Sequence, residues 1–214
     1  MTAGVITRPV RTGVALTVSG GVTGLCAGLV YADVRGDRMA PWILGRASGV
    51  VAYLLLTALV LLGITLSHPR RAARGRSSPA RMRAHVTLAL LTLAALLLHV
   101  TVLATDRYAG VGWWGALLPM RSGYRPVGVT CGVVGVWLGV LAGVTAGLAG
   151  HLPVRLWFPV HRVAAATFAL AVVHGVLAGS DRGALWAMYL ATGLPTAGFA
   201  ASRYAARRPA GAPP

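Results

Sequence analysis

Six long apolar runs constrain the fold of this chain more than any other feature of its sequence. Each run is long enough to cross a hydrocarbon core of about 30 Å as a helix that rises 1.5 Å per residue. The runs cover approximately residues 13–31, 42–66, 84–105, 127–149, 159–178 and 184–203. Of the 214 residues, 56% are hydrophobic and only 11% are charged, which excludes a soluble domain. The sequence therefore predicts an all-α membrane protein, a bundle of six transmembrane helices.

The distribution of charge predicts how this bundle is oriented. The formal net charge of +16 comes from 20 arginines, with no lysine and no glutamate. By the positive-inside rule, the connections richest in arginine lie in the cytoplasm. These arginines are Arg8 and Arg11 before the first run, Arg70, Arg71, Arg74, Arg76, Arg81 and Arg83 in the second connection, and Arg203, Arg207 and Arg208 after the last run. All four aspartates fall in the connections on the other side, so both termini are predicted to be cytoplasmic.

The same topology predicts the domain organisation and the location of the chain. Residues 1–12 are expected to form a cytoplasmic N-terminus, residues 13–204 the helical bundle and residues 205–214 a disordered cytoplasmic tail. In a soluble protein so large a positive charge would suggest nucleic acid. Here the cytoplasmic connections account for the arginines, which excludes nucleic acid as a partner. We expect the chain in the plasma membrane, with the lipid bilayer as its surroundings.

Two of the apolar runs carry two histidines each, and these four imidazoles need partners because a hydrocarbon core offers no water. His85 and His99 are 14 residues apart, so on an ideal helix they lie within ~40° of one face and ~21 Å apart along the axis. His161 and His174 are 13 residues apart, which leaves the second imidazole about 140° out of phase. A local distortion of the fifth helix, or ligands that reach from different flanks, is needed to absorb this difference.

Helix parity predicts which of these histidines meet. The third and fifth helices run in the same direction, so His85 and His161 are expected at the cytoplasmic level and His99 and His174 at the outer level. Two neutral imidazoles from two helices are what a six-coordinate heme needs as axial ligands. A hydrogen-bonded packing role is the alternative for each histidine, and a transporter or structural bundle without heme is the alternative for the whole chain. His68 and His151, at cytoplasmic helix ends, are expected to be solvated.

Two further segments have a predicted role in packing. The fourth run carries Gly135, Gly139, Gly143 and Gly147 at four-residue spacing, a smooth stripe that favours close approach of another helix or of a flat ligand. The outer connection over residues 106–126 contains Trp113 and Trp114 among glycines. This composition is typical of an interfacial or re-entrant element over the outer end of the bundle.

The histidine spacing also carries a resemblance to a known family. The pattern H-x13-H in the third helix and H-x12-H in the fifth resembles the ferric reductase-like transmembrane domain, which occurs in ferric reductases, NADPH oxidases and bacterial single-domain relatives. The resemblance runs from about Trp42 to Arg182. Its supporting motifs are Gly45-Arg46-Ala47-Ser48-Gly49, Leu118-Pro119, Tyr124-Arg125-Pro126, Leu156-Trp157, His161-Arg162 and Gly179-Ser180-Asp181.

This resemblance implies a set of ligands for two b-type hemes. His85 with His161 would hold the inner heme iron, and His99 with His174 would hold the outer heme iron. Guanidinium groups match carboxylates, so arginines close to these levels are candidates to pair with heme propionates. The candidates are Arg46 and Arg125 outside and Arg83 and Arg162 inside. For Arg46 the alternative is extension of its side chain to the outer headgroups.

The resemblance further implies an electron-transfer protein, an oxidoreductase component without catalytic side chains of its own. The 214 residues contain no counterpart of the family's FAD- and NADPH-binding domain, so a cytoplasmic flavoprotein or a membrane quinol is the expected electron donor. The external acceptor is expected to be a ferric chelate, a periplasmic methionine sulfoxide reductase fed from quinol, or oxygen. Bound FMN or FAD is compatible with the family, but no residue pattern in this sequence indicates it.

Overall fold

The computed structural model describes residues 39–68 and 79–205, and this part of the chain is helical with no strand. The predicted all-α class is thus confirmed for the described residues, while the first apolar run, residues 13–31, lies outside them. Seven helices are described: α1 Ala40–Leu66, α2 Pro79–Thr105, α3 Gly112–Leu117, α4 Pro126–Gly147, α5 Val154–His161, α6 Ala164–Ala178 and α7 Arg182–Ala205.

Within the described ranges, four segments are long and apolar enough to cross a membrane: α1, α2, α4 and the span Val154–Ala178 that contains α5 and α6. The chain is therefore a membrane protein. Helix α7 lies where the sixth apolar run was predicted but is not among these four. Its glycines, threonines and Pro195 lower its hydropathy, so its membrane crossing stays a prediction. Helix α2 begins at Pro79, earlier than predicted, because proline is well tolerated in the first turn of a helix.

The predicted fifth helix begins earlier than expected and is interrupted close to its first histidine. Helix α5 ends at His161, and α6 begins at Ala164. Across the junction, the amides of Val163, Ala165 and Ala166 donate to the carbonyls three residues before them, at 3.0, 3.2 and 2.8 Å. These are 3₁₀-type bonds, which turn the chain by ~120° per residue in place of ~100°. Three such steps reduce the ~140° phase difference to ~80°, so the local distortion that the histidine spacing required is present.

Helix packing divides the described bundle into two close pairs of helices. Helix α1 packs along α2, and α4 packs along α6 with α5 beside it. Helix α7 contacts α1 and α6, and there Tyr53, Val60 and Phe168 form a buried apolar cluster. Helices α2 and α6, which carry three of the four histidines, have at most marginal backbone contact with each other in the described part of the chain. The facing histidines therefore come from helices whose backbones are not closely packed against each other.

Specific contacts define the two ends of the bundle. At one end Arg46 of α1 forms an ion pair with Asp181, in the connection between α6 and α7. At the same end the Tyr124 hydroxyl donates to the Ala178 carbonyl at 2.9 Å. At the opposite end Nε of Arg203 donates to the Ser67 carbonyl at 3.4 Å. We call these the Asp181 end and the Arg203 end.

Candidate functional site: two pairs of facing histidines

The structure brings the four histidines of the apolar segments together in the two pairs that helix parity predicts. The ring centroids of His85 and His161 are 6.3 Å apart, and their planes make an angle of 73°. The centroids of His99 and His174 are 6.2 Å apart, with an angle of 80°. We call these the 85–161 pair, which lies towards the Arg203 end, and the 99–174 pair, which lies towards the Asp181 end.

The separation of the rings fits a metal ion between them. Two imidazole nitrogens on opposite sides of one metal ion, each bound at ~2.0 Å, put the ring centroids ~6.3 Å apart, because each nitrogen lies ~1.15 Å from the centre of its ring. Both pairs have this separation to within 0.1 Å. Direct packing of two rings would bring the centroids to the same range, so the hydrogen bonds of the rings have to distinguish the two arrangements.

Backbone carbonyls fix the orientation of the 99–174 pair. Nδ1 of His99 is 2.7 Å from the Gly45 carbonyl oxygen in α1, and Nδ1 of His174 is 2.9 Å from the Gly128 carbonyl oxygen in α4. A carbonyl oxygen can only accept, so each Nδ1 carries the proton and each Nε2 keeps its lone pair. Histidines that bind metal donate their second ring nitrogen in this way. In the 99–174 pair, Nε2 of each ring is thus the nitrogen whose lone pair is available for a bond.

The 85–161 pair is held less tightly. Nδ1 of His161 is 3.1 Å from the Ala142 carbonyl oxygen in α4. Nδ1 of His85 is buried without a partner at hydrogen-bond geometry, although the Leu59 carbonyl in α1 faces it. The two pairs therefore have the same arrangement, in which backbone carbonyls of α1 and α4 face the rings. They differ in how close these contacts are.

Glycines give the rings access to these carbonyls. A Cβ at Gly49 would lie 2.8 Å from the His99 ring, and one at Gly132 would lie 2.8 Å from the His174 ring. At Gly63 the corresponding distance to His85 is 3.2 Å. Each of these glycines lies four residues after the residue whose carbonyl faces the ring, on the same side of its helix. A side chain at these positions would push the imidazole away from the carbonyl.

The same 14-residue interval recurs on three helices, and the sequence interpretation did not find it. It separates His85 from His99 on α2. The carbonyls that face the rings repeat it, from Gly45 to Leu59 on α1 and from Gly128 to Ala142 on α4. Because 14 residues return to nearly the same helix face, the interval places two equivalent contacts at two heights. The detectable signal was the matching interval between Gly49 and Gly63.

The two halves of the predicted glycine stripe of α4 have different surroundings. Gly135 and Gly139 face Leu170 and Thr167 of α6, which is the predicted helix-packing use. A Cβ added at Gly143 or Gly147 would meet no described atom within 4 Å, so the stripe does not continue as an interface in the described part of the bundle. Gly128 and Gly132, the glycines of this helix that contact His174, lie outside the stripe.

The four arginines proposed as propionate partners are in different surroundings. Arg46 pairs with Asp181 and also lies over the Trp42 ring at 5.7 Å. Arg125 donates to the Leu177 and Gly179 carbonyls at 3.2 and 3.1 Å, which ties the start of α4 to the end of α6. Arg83 is exposed and Arg162 is half-buried next to His161. Their pairing with propionates stays a prediction.

The donor set limits which metal group the pairs can hold. Among residues 39–68 and 79–205, no three or more His, Cys, Asp or Glu side chains gather around one point. A structural zinc ion needs four protein ligands and a catalytic one usually three, so two imidazoles alone do not make a zinc site. A porphyrin supplies the four remaining nitrogens itself, so two facing imidazoles complete its coordination. The residues present therefore fit heme.

Comparison of the chain with protein-family models, with curated proteins and with solved structures gives no match. The functional inference consequently rests on the geometry of the two histidine pairs and on the membrane character of the helices.

Proposed function

We propose that this membrane protein binds two b-type hemes and carries electrons between them. His85 and His161 hold one heme, and His99 and His174 hold the other. The observation that carries the proposal is the matched separation of the two ring pairs, together with Nδ1 contacts that leave Nε2 of His99, His161 and His174 available. The limited backbone contact between α2 and α6 supports it, because a flat ligand between two histidines needs the helices that carry them not to be closely packed.

A heme held by His85 with His161, or by His99 with His174, would supply one-electron transfer and would leave no position at the iron for a substrate. The chain's own residues orient and separate the two sites. Backbone carbonyls of α1 and α4 fix the tautomers, and Gly49, Gly63 and Gly132 leave room for the rings. The 14-residue interval on α2 sets the two sites ~21 Å apart along the helix axis. Two carriers at this interval span most of a hydrocarbon core of about 30 Å.

The proposal includes a six-helix bundle with both termini in the cytoplasm of the cell. The 85–161 pair then lies on the cytoplasmic side, where a flavoprotein or a membrane quinol delivers electrons. The 99–174 pair lies on the outer side, where an external acceptor such as a ferric chelate removes them. The sequence supports this direction, because six arginines separate His68 from Ala84 and two more follow Ala205, next to helix ends that lie at the Arg203 end.

A reduced-minus-oxidised difference spectrum of the purified protein, with a heme-to-protein ratio, tests the proposal. We expect the bands of low-spin b-type heme and about two hemes per chain. A protein that contains no heme after expression with sufficient heme supply would contradict the proposal. The chain would then be a bundle whose histidines serve packing.

A further inference from the structure

The two histidine pairs differ in how strongly their rings are hydrogen-bonded. In the 99–174 pair both Nδ1 atoms have close carbonyl partners, at 2.7 and 2.9 Å. In the 85–161 pair one Nδ1 has a partner at 3.1 Å, and Nδ1 of His85 faces the Leu59 carbonyl without reaching the geometry of a close hydrogen bond. Donation from Nδ1 raises the basicity of the ligating nitrogen. A more basic ligand stabilises the oxidised metal and lowers its reduction potential.

The charges at the two ends act in the same direction. Five described arginines lie at each end. They are Arg81, Arg83, Arg155, Arg162 and Arg203 at the Arg203 end, and Arg46, Arg107, Arg121, Arg125 and Arg182 at the Asp181 end. Both described aspartates, Asp106 and Asp181, lie at the Asp181 end, and Asp181 pairs with Arg46. Among the described residues, the net formal charge is therefore larger at the Arg203 end, where five arginines face no aspartate, than at the Asp181 end, where two aspartates are present. Positive charge favours the form with the extra electron, so the 85–161 pair is again the easier one to reduce.

We infer that the 85–161 site has the higher reduction potential and the 99–174 site the lower. This inference rests on the proposed function, since both sites must hold heme. A protein that receives one electron keeps it at the 85–161 site. Transfer towards the Asp181 end is then uphill between the two sites, so an acceptor that removes the electron at that end has to drive it.

An equilibrium redox titration of the purified protein, followed by visible absorbance, tests the inference. The wild type should show two one-electron steps. His85→Ala should lose the upper step and keep the lower one, whereas His99→Ala should lose the lower step and keep the upper one. The opposite assignment would overturn the inference while leaving two hemes in place. Absence of heme from the wild type would instead overturn the proposed function.

Charge variants test the same assignment of the two reduction potentials in a protein that keeps all four histidines. Arg83→Gln, two residues before His85, should lower the upper step, and the matched Arg107→Gln at the other end should lower only the lower step. Gly132→Ala should raise the lower step, because it moves the His174 ring away from the Gly128 carbonyl, and Gly143→Ala should move neither step. A shift of the lower step by Arg83→Gln with the upper step fixed would overturn the inference.

Discussion

One ring nitrogen of His99, His161 and His174 is already engaged by the backbone of a neighbouring helix. These contacts fix the tautomer and the orientation of the three rings. They depend on small residues, because a Cβ at Gly49 or Gly132 would lie 2.8 Å from an imidazole. At the scale of single residues, Gly49 and Gly132 thus allow the close approach of the His99 and His174 rings to the backbones of α1 and α4.

Gly132→Ala tests this dependence. The added methyl group displaces the His174 ring and weakens its bond to the Gly128 carbonyl, and loss of such an outer contact typically reduces metal affinity about 10- to 100-fold. One of the two hemes should therefore transfer faster to an excess of apomyoglobin. Gly143→Ala, on the same helix with open space around it, is the matched control. Equal heme loss from both variants would contradict the role given to Gly132.

The angles between the facing rings give a spectroscopic prediction. The planes of the two imidazoles are nearly perpendicular in both pairs, at 73° and 80°. Perpendicular axial ligands leave two of the iron d orbitals nearly equal in energy, which makes the low-spin ferric signal strongly anisotropic. Electron paramagnetic resonance of the oxidised protein should show such signals for both hemes. Rhombic spectra, as given by parallel imidazole planes, would contradict the described ring geometry.

At the scale of helices, the interruption between α5 and α6 reduces the phase difference that the 13-residue interval imposes on His161 and His174. An uninterrupted helix would turn His174 away from the face that carries His161. Pro159 and the 3₁₀-type bonds around Arg162 and Val163 change the rotation locally. The spacing alone predicted either a distortion or ligands that reach from different flanks. The position of the distortion could not be predicted, because a distortion at several other residues of this helix would have had the same effect on the rotation.

The ion pair between Arg46 and Asp181 joins α1 to the connection between α6 and α7, next to the 99–174 pair. Its side chains are 33% and 44% exposed, so a double-mutant cycle with Arg46→Gln and Asp181→Asn should give a coupling free energy below ~1 kcal/mol. Thermal unfolding in detergent measures it. Both single variants should keep two hemes. If Arg46→Gln alone released heme, Arg46 would be a propionate ligand, and the ion pair would not be its main role.

At the scale of the whole molecule, the membrane character, the approximate positions of the described long helices and the pairing of the histidines followed from the sequence. They depend on hydropathy and on helix parity, which are properties of the chain itself. The contacts of the rings with Gly45, Gly128 and Ala142 could not be predicted, because they depend on how α1 and α4 rotate about their axes. Nor could the partner of Arg46 be predicted, since the sequence did not show that Asp181 folds back onto α1.

The proposed orientation of the bundle is testable by labelling in intact cells. In a background with Cys26→Ala and Cys131→Ala, a cysteine is placed at exposed Ser180 or at exposed Ala80. By the positive-inside rule, a membrane-impermeant maleimide should label Ser180→Cys directly and Ala80→Cys only after the membrane is opened. The reverse pattern would place the arginine-rich end outside and contradict the proposed direction of electron transfer.

The most direct test of the central claim is the heme content of a series of single histidine variants. Wild-type protein should contain about two b-type hemes per chain. His85→Ala and His161→Ala should each leave one heme, the same one, and His99→Ala and His174→Ala should each leave the other. His151→Ala, at an exposed histidine outside both pairs, should keep two. Heme content that stays unchanged in all four pair variants, or that falls with His151→Ala alone, would contradict the claim.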